Sequence, residues 1–277
     1  MKILILGGQG MAGHMMTEYF IDKPQYEVHY TSRDVNDKKS IYLDVTDLKR
    51  VEETIEMLKP DIIINCVGIL NDHAANNPLL AFQVNSLLPH QLAKFNERHH
   101  GKLIHISTDC VFSGLKGEYT EDDFPDGTSV YAQSKQLGEI ISNKHLTIRT
   151  SIIGPEMKED GIGLFLWFMK QTGKIKGYKN VLWNGVTTLE LAKATEEMIK
   201  HQITGLYHLG STQRISKYSL LKLIQDVFGK NDVEIIPDQA IVLDRTIKNT
   251  RTDFKYVIPD YKQMLLALKN WMEHKNK

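Results

Sequence analysis

The run Ile3-Leu4-Ile5-Leu6-Gly7-Gly8-Gln9-Gly10-Met11-Ala12-Gly13 decides how this chain is read. Four aliphatic residues end abruptly on glycines, and apolar residues at helical spacing follow from Met11 to Phe20. In a strand, turn, helix order such glycines allow a tight turn, let backbone N–H groups approach a pyrophosphate, and let helix pack on strand. Gly7, Gly10 and Gly13 supply the spacing, and Gly8 adds a GxGxxG match. The pattern alone is weak, but this context predicts a dinucleotide-binding turn, with a merely structural glycine turn as the alternative.

Working outward, β-rich runs alternate with helical patterns. Glu27 to Thr31, Ile62 to Cys66, Leu103 to Ser107 and Leu146 to Thr150 read as further strands, while Leu48 to Leu58, Leu79 to His99 and Tyr131 to Ser142 read as helices. Repeated βα alternation implies parallel strands with crossover helices, and Ile62-Ile63-Ile64 suits a strand covered on both faces. The expected fold is therefore α/β, a doubly wound parallel sheet of the Rossmann kind with a second, smaller substrate-binding lobe.

After Gly154-Pro155 the pattern changes, and a smaller lobe is expected to begin there. Thr188 to His201 and Leu206 to Leu209 read as a helix and a strand returning to the first sheet. Ser216 to Phe228 reads as another helix, and the tail from Asp238 as irregular before a final helix around Tyr261 to His274. The dinucleotide-binding domain is thus placed at residues 1–153 plus about 181–212, and the substrate-binding lobe at 154–180 plus about 213–277.

The 277 residues can bury a core without disulfides or metals. Lys plus Arg and Asp plus Glu both total 34, so no basic excess draws nucleic acid and no polybasic tract draws an anionic membrane. A small-molecule ligand is expected. Cys66 and Cys110 lack the spacing of a zinc site or a disulfide scaffold, so no metal is expected and a reducing cytoplasm fits. The Ile3–Leu6 run is too short for a signal-peptide core, and no stretch approaches the roughly 20 apolar residues that cross a bilayer. A homodimer is left open.

The second strand bears on the cofactor. An acidic residue at its end would bind the ribose 2′-OH and repel a 2′-phosphate, whereas this strand ends in Thr31-Ser32-Arg33. NADPH is favoured over NADH, because a guanidinium fork matches phosphate oxygens. An ordinary exposed charge at Arg33, with Asp34 facing a ribose hydroxyl, is the competing reading.

Tyr131-Ala-Gln-Ser-Lys135 sets a phenol and an amine on one helix face. An ammonium near a phenol favours the phenolate and draws its pKa from about 10 toward a range useful for proton transfer. Ser107-Thr108 ends the fourth predicted strand of the sheet, on the edge where open α/β sheets bind ligands. Without that third partner the Tyr/Lys pair would be commonplace on a surface.

Together the glycine turn, Asp44-Val45, Asn65-Cys66-Val67-Gly68, Ser107-Thr108-Asp109-Cys110-Val111-Phe112 and Tyr131/Lys135 resemble the extended short-chain dehydrogenase/reductases. STDxVFxG, Gly117-Glu118-Tyr119-Thr120-Glu121, YxxSKxxGE and Ile148-Arg149-Thr150-Ser151 are similar to the dTDP-4-dehydrorhamnose reductase branch. The resemblance implies that Tyr131 donates the proton, that Lys135 binds the nicotinamide ribose and lowers the Tyr131 pKa, and that Thr108 hydrogen-bonds the substrate carbonyl. It implies a cofactor site from Gly7, Gln9, Gly10, Met11, Gly13, Ser32, Arg33, Asp44, Val45, Cys66, Val67 and Gly68, with Gly10-Met11 at the pyrophosphate and Asp44-Val45 at the adenine. Asp109 and Cys110 would meet the sugar. Asp44 could equally cap the following helix, and Asn85 could bridge to Lys135 or satisfy buried backbone.

Ketoreduction, 4,6-dehydration, and epimerisation with reduction share this triad within the family. Its dehydratases carry an acid two residues after the Thr, where this chain has Cys110. A reductase of a 6-deoxy-4-keto nucleotide sugar in surface-polysaccharide synthesis is therefore expected, either UDP-2-acetamido-2,6-dideoxy-4-hexulose, slightly preferred, or dTDP-4-dehydrorhamnose. Cys110 leaves open an epimerase/reductase of the GDP-fucose synthase kind, although a lone thiol near its ordinary pKa is a poor base. Arg214, Arg245 and Arg251 are candidates for the diphosphate. A regulatory subunit that keeps only the cofactor fold, as in methionine adenosyltransferase, is the rival from another class; it predicts a decayed triad, and this triad is intact.

Overall fold

The computed structural model describes residues 1–275. Its strands are β1 (Lys2–Leu6), β2 (Glu27–Ser32), β3 (Ile41–Tyr42), β4 (Ile62–Asn65), β5 (Lys102–Ile106), β6 (Leu146–Thr150), β7 (Ile152–Ile153), β8 (Gly173–Trp183), β9 (Val186–Thr187), β10 (Gly205–Leu209), β11 (Ile215–Ser216) and β12 (Val233–Asp244). The helices are α1 (Met11–Ile21), α2 (Leu48–Leu58), α3 (Asn71–Asn76), α4 (Pro78–Ala81), α5 (Leu88–Glu97), α6 (Val130–Leu137), α7 (Leu164–Lys170), α8 (Thr188–Lys200), α9 (Lys217–Phe228) and α10 (Tyr261–Lys275).

Seven strands form one sheet in the order β3-β2-β1-β4-β5-β6-β10, every pair parallel. Alternation along β1 explains the double winding. Ile3 and Ile5 join a core with α1 and α8, whereas Leu4 and Leu6 join another with α2 and α5. Each fully buried aliphatic side chain contributes about 1.5–3 kcal/mol, so a strand apolar on both faces is stable only between two helical layers. From β1 the chain builds first outward through β2 and β3, then returns to β4 on the other side. The crevice beyond the ends of β1 and β4 is thus a topological switch point.

The expected doubly wound sheet is present, with β10 beside β6 as its last strand. A three-stranded sheet, β11-β8-β12, builds the second lobe, and β7 pairs with β9. β8 runs across the boundary expected at residue 181. Leu268 of α10 packs with Met15 and Leu189, so the last helix lies against the first lobe.

Three local departures have physical causes. The segment from Asp238, expected to be irregular, continues β12, which pairs with β8 and shifts register between Asp238 and Val242. Pro237 argues against a strand interior, but β12 is an edge strand, where a missing N–H is tolerated. The single helix expected from Leu79 to His99 is α4 and α5 joined by a π-turn over Phe82–Leu87. The helix expected to reach Ser142 stops at Leu137. A Cβ at Gly138 would lie 1.9 Å from the Asn85 carbonyl oxygen, so the chain passes closer there than any side chain permits.

Candidate active site

A cleft of about 540 Å³ opens at the switch point. Gly7, Gln9 and Gly10 line it from the first turn, Ser32 and Arg33 from the end of β2, Asp44 and Val45 from beyond β3, and Cys66, Val67 and Gly68 from beyond β4. Gly7 adopts φ +78°, a conformation that favours glycine, and the Gly10 N–H donates to its carbonyl at 2.9 Å. Gly13 does not line the cleft. A Cβ there would sit 2.0 Å from the Gly7 oxygen, so its smallness lets α1 pack on the turn. Met11 also lies outside the lining.

At the end of β2, Arg33 and Asp34 both line the cleft, and Arg33 helps hold the Asp44 carboxyl below its usual range. The larger cause is Thr46, whose backbone N–H and hydroxyl donate to Asp44 at 3.0 and 2.8 Å. The cap of α2 is Asp47 instead, accepting from the Arg50 N–H at 3.1 Å. Asp44 therefore lines the cleft, and the capping role weighed for it falls to Asp47. Sequence reading missed Lys158, which reaches the same cleft from the loop after β7.

The three expected catalytic residues gather just past the end of β5. Thr108 is extended and begins a short 3₁₀ turn, Asp109–Val111, its Oγ1 accepting the Cys110 N–H at 3.1 Å and donating to Asp109 at 3.2 Å. Ser129 caps α6 by accepting the Ala132 N–H at 3.1 Å, which puts Tyr131 and Lys135 in the first two turns. Both are buried. Burial raises the Tyr131 phenol far above its usual pKa, the neighbouring Cys110 and Asp109 add to this, and the Thr108 hydroxyl opposes it. Burial likewise pushes Lys135 down to about 8. The expected lowering of the Tyr131 pKa by a lysine cation is thus not a property of the protein without ligands; desolvation wins.

Asn85 resolves the second open choice. It accepts from the Ile69 N–H at 2.8 Å and donates to the Ile69 carbonyl at 2.9 Å and to Ser134 at 3.0 Å. Lys135 instead meets the Ile106 carbonyl at 2.8 Å and His105 at 3.2 Å. Behind the triad, Arg149 and Glu139 form a two-pronged ion pair at 2.8 and 2.6 Å, and the Ser107 hydroxyl donates to Glu139 at 2.6 Å. This gives a physical reason for the Glu in YxxSKxxGE and the Arg after Ile148. Both charges are buried, and each is matched.

Next to Thr108, the Asp109 carboxyl is raised by burial while Lys217 and Arg245 oppose the shift. Cys110 is pushed up to about 11, mainly by burial and then by Asp109, despite Arg245 Nη1 at 3.7 Å from its sulfur. Of the three candidate arginines only Arg245 comes here. Arg214 pairs with Asp244 and Glu118, and Arg251 with Asp253, at a separate cavity of about 360 Å³ beside Tyr207–Ser211. Lys217, at the start of α9 with its ammonium 5.2 Å from the Trp183 ring centre, is a site neighbour that sequence reading missed. No motif in one chain segment marks it.

No described helix is long and apolar enough to cross a membrane. The family model described as RmlD substrate binding domain matches residues 1–248. A dTDP-4-dehydrorhamnose reductase from Aggregatibacter actinomycetemcomitans is 26% identical over 249 residues, covering 85% of this chain and 82% of the relative. The beta subunit of methionine adenosyltransferase 2 from Bos taurus is 24% identical, covering 91% of this chain and 80% of that one. Among solved structures, a dTDP-4-dehydrorhamnose reductase from Bacillus anthracis in complex with NADP superposes with a TM-score of 0.82 at 21% identity, covering 98% of this chain and 99% of the other. With the sheet, the switch-point cleft and the Thr108, Tyr131 and Lys135 cluster in place, the chain belongs to the RmlD substrate binding domain family, the dTDP-4-dehydrorhamnose reductase-like branch of the extended short-chain dehydrogenase/reductases.

Proposed function

We propose that this protein uses NADPH to reduce the C4 ketone of a 6-deoxy-4-keto nucleotide sugar. The observation that carries the reading is the gathering of Thr108, Tyr131 and Lys135 at the end of β5, beside a cleft whose ribose end bears Arg33. The glycine turn and the volume of that cleft suit a dinucleotide, and the relative solved with NADP is consistent with the choice. NADPH, when bound, supplies the hydride.

The chain's own residues handle the oxygen and its proton. Thr108 donates a hydrogen bond to the ketone oxygen and orients it, while Tyr131 gives that oxygen its phenolic proton as the carbonyl carbon becomes tetrahedral. A phenol with a raised pKa keeps its proton until the oxygen becomes basic enough to take it. Asp109, Cys110 and Arg245 would contact the sugar or the phosphate next to it. The substrates to try first are UDP-2-acetamido-2,6-dideoxy-4-hexulose and dTDP-4-dehydrorhamnose, in polysaccharide sugar synthesis.

Two other readings are weaker on specific grounds. Epimerisation through Cys110 would need a thiolate, and burial with Asp109 favours the thiol. The role of a regulatory subunit would not require an intact triad. A screen of NADPH oxidation against dTDP- and UDP-linked 4-keto-6-deoxysugars, with product configuration at C4 read by NMR, is expected to find one substrate turned over. No turnover of any of them, with stable capture of a partner protein, would replace the reductase by the regulatory reading.

A further inference from the structure

Lys135 is buried, and among the described residues no carboxylate lies within 4 Å of its nitrogen. Its Nζ meets the Ile106 carbonyl at 2.8 Å and Nε2 of His105 at 3.2 Å. His105 lies wholly inside β5, with its Nδ1 3.1 Å from Nδ2 of Asn65, also wholly buried. The proton positions along this chain of contacts follow from its far end. Asn65 Oδ1 accepts the Val67 N–H at 3.1 Å, so a reversed amide would set two donors against each other. Asn65 Nδ2 therefore donates, and His105 Nδ1 accepts and carries no proton.

A neutral imidazole has one N–H, which must then be on Nε2 and point at Lys135. An ammonium has only donors and cannot accept it. A neutral amine can, through its lone pair, while one of its own N–H bonds still serves the Ile106 carbonyl.

We propose that His105, oriented by Asn65, is a positioning residue that donates its Nε2 proton to Lys135 and so holds that side chain as a neutral amine in the free enzyme. The groups facing this pair are compatible with it. From its own helix Lys135 has Tyr131, a phenol, and from just past the helix end Glu139, whose carboxylate is already engaged by Arg149 and Ser107. From the end of β4 comes Cys66, held as a thiol by burial, which pushes it up to about 12. His90 is a weaker electrostatic neighbour of His105. Burial lowers His105 well below its usual value, and Lys135 to about 8; both shifts act in the direction that the hydrogen bonds require, and the neutral amine is the prevailing form above about pH 8. The arrangement leaves no unmatched charge beneath the switch-point cleft. An ammonium at Lys135, the form that would favour a Tyr131 phenolate, cannot accept the Nε2–H, so it requires this contact to break or the His105 tautomer to change and belongs to a later state than the free enzyme.

The part played in turnover rests on the reduction proposed above; the sense of the hydrogen bonds does not. The test is nitrogen-15 NMR of the full-length, cofactor-free protein labelled at histidine, with the His105 signal identified by its loss in His105→Gln. The expected result is a ring protonated at Nε2 alone, and a ring protonated at Nδ1, or at both nitrogens, overturns the inference. In Asn65→Asp the new carboxylate still accepts the Val67 N–H but now accepts from Nδ1–H, which turns the Nε2 lone pair toward Lys135. The Lys135 titration, followed by NMR of labelled lysine, then moves up by about one pH unit or more; an unmoved titration in the folded variant counts against the inference. A protein that reduces no 4-ketosugar but shows Nε2–H refutes only the function proposed above, and an active reductase with Nδ1–H refutes only this inference.

Discussion

The seven-stranded and three-stranded sheets of this protein bury their strands very differently. In the seven-stranded sheet all four residues of β4 and all five of β6 are buried, whereas only three of the eleven residues of β8 and two of the twelve of β12 are. The first sheet is held from both faces, so the residues at the ends of its strands are fixed in position by many contacts. The second is a scaffold that brings the segments after it toward the first, where Lys217 and Arg245 face Asp109 and Cys110. The residues proposed for the proton transfer thus stand on the sheet buried from both faces, and Arg245, proposed to contact the substrate, follows the more exposed one.

Substitutions can break or sharpen this contrast. The largest effect is expected at Tyr131→Phe, which keeps the buried ring and removes the proton. The rate of NADPH oxidation at saturating substrate should fall by ~10²–10⁴ with the fold intact by circular dichroism. A drop below tenfold would mean that another group supplies the proton. Next comes Glu139→Gln, which leaves the Arg149 cation buried without its partner. A loss of about 3–5 kcal/mol in denaturant unfolding is expected, and a near-neutral result would show that the rigid sheet tolerates charge better than its burial implies.

Arg33→Ala should weaken NADPH by ~10–100-fold and leave NADH nearly unchanged, as expected of a charged hydrogen bond to a 2′-phosphate worth about 1.5–3 kcal/mol. Equal losses for both cofactors, measured as the ratio of their kcat/KM values, would assign Arg33 to the turn and not to the phosphate. The smallest effect is expected on the second sheet. Val242, on β12, is 78% exposed, and Val242→Lys should change unfolding free energy by no more than about 0.5 kcal/mol. A larger loss would show that this edge is covered in solution.

Much of the first lobe was legible because its signals are local. The glycines, the aliphatic runs and the βα alternation each lie within a few residues of what they specify. Thr108, Tyr131 and Lys135 were legible because a strand end and a helix start carry them at recognisable spacings. β12 was not, because Pro237 and an exposed face hide the strand pattern, and the π-turn was not, because it depends on Asn85 reaching Ile69 and Ser134. His105 was read only as a strand residue, since nothing near it in the chain shows that Asn65 and Lys135 flank its ring.

By itself the sequence determined the winding of the sheet, the glycine turn at its switch point, and the strand end and helix start that bring Thr108, Tyr131 and Lys135 together. These follow from periodicity and short motifs, in which neighbours along the chain are neighbours in space. Only the tertiary structure decided the electrostatics of those residues. The protonation of Tyr131 and Lys135 depends on how deeply they are buried and on groups far along the chain, such as Cys110 for Tyr131 and His105 for Lys135, and desolvation outweighs the four-residue spacing that first drew attention to the pair.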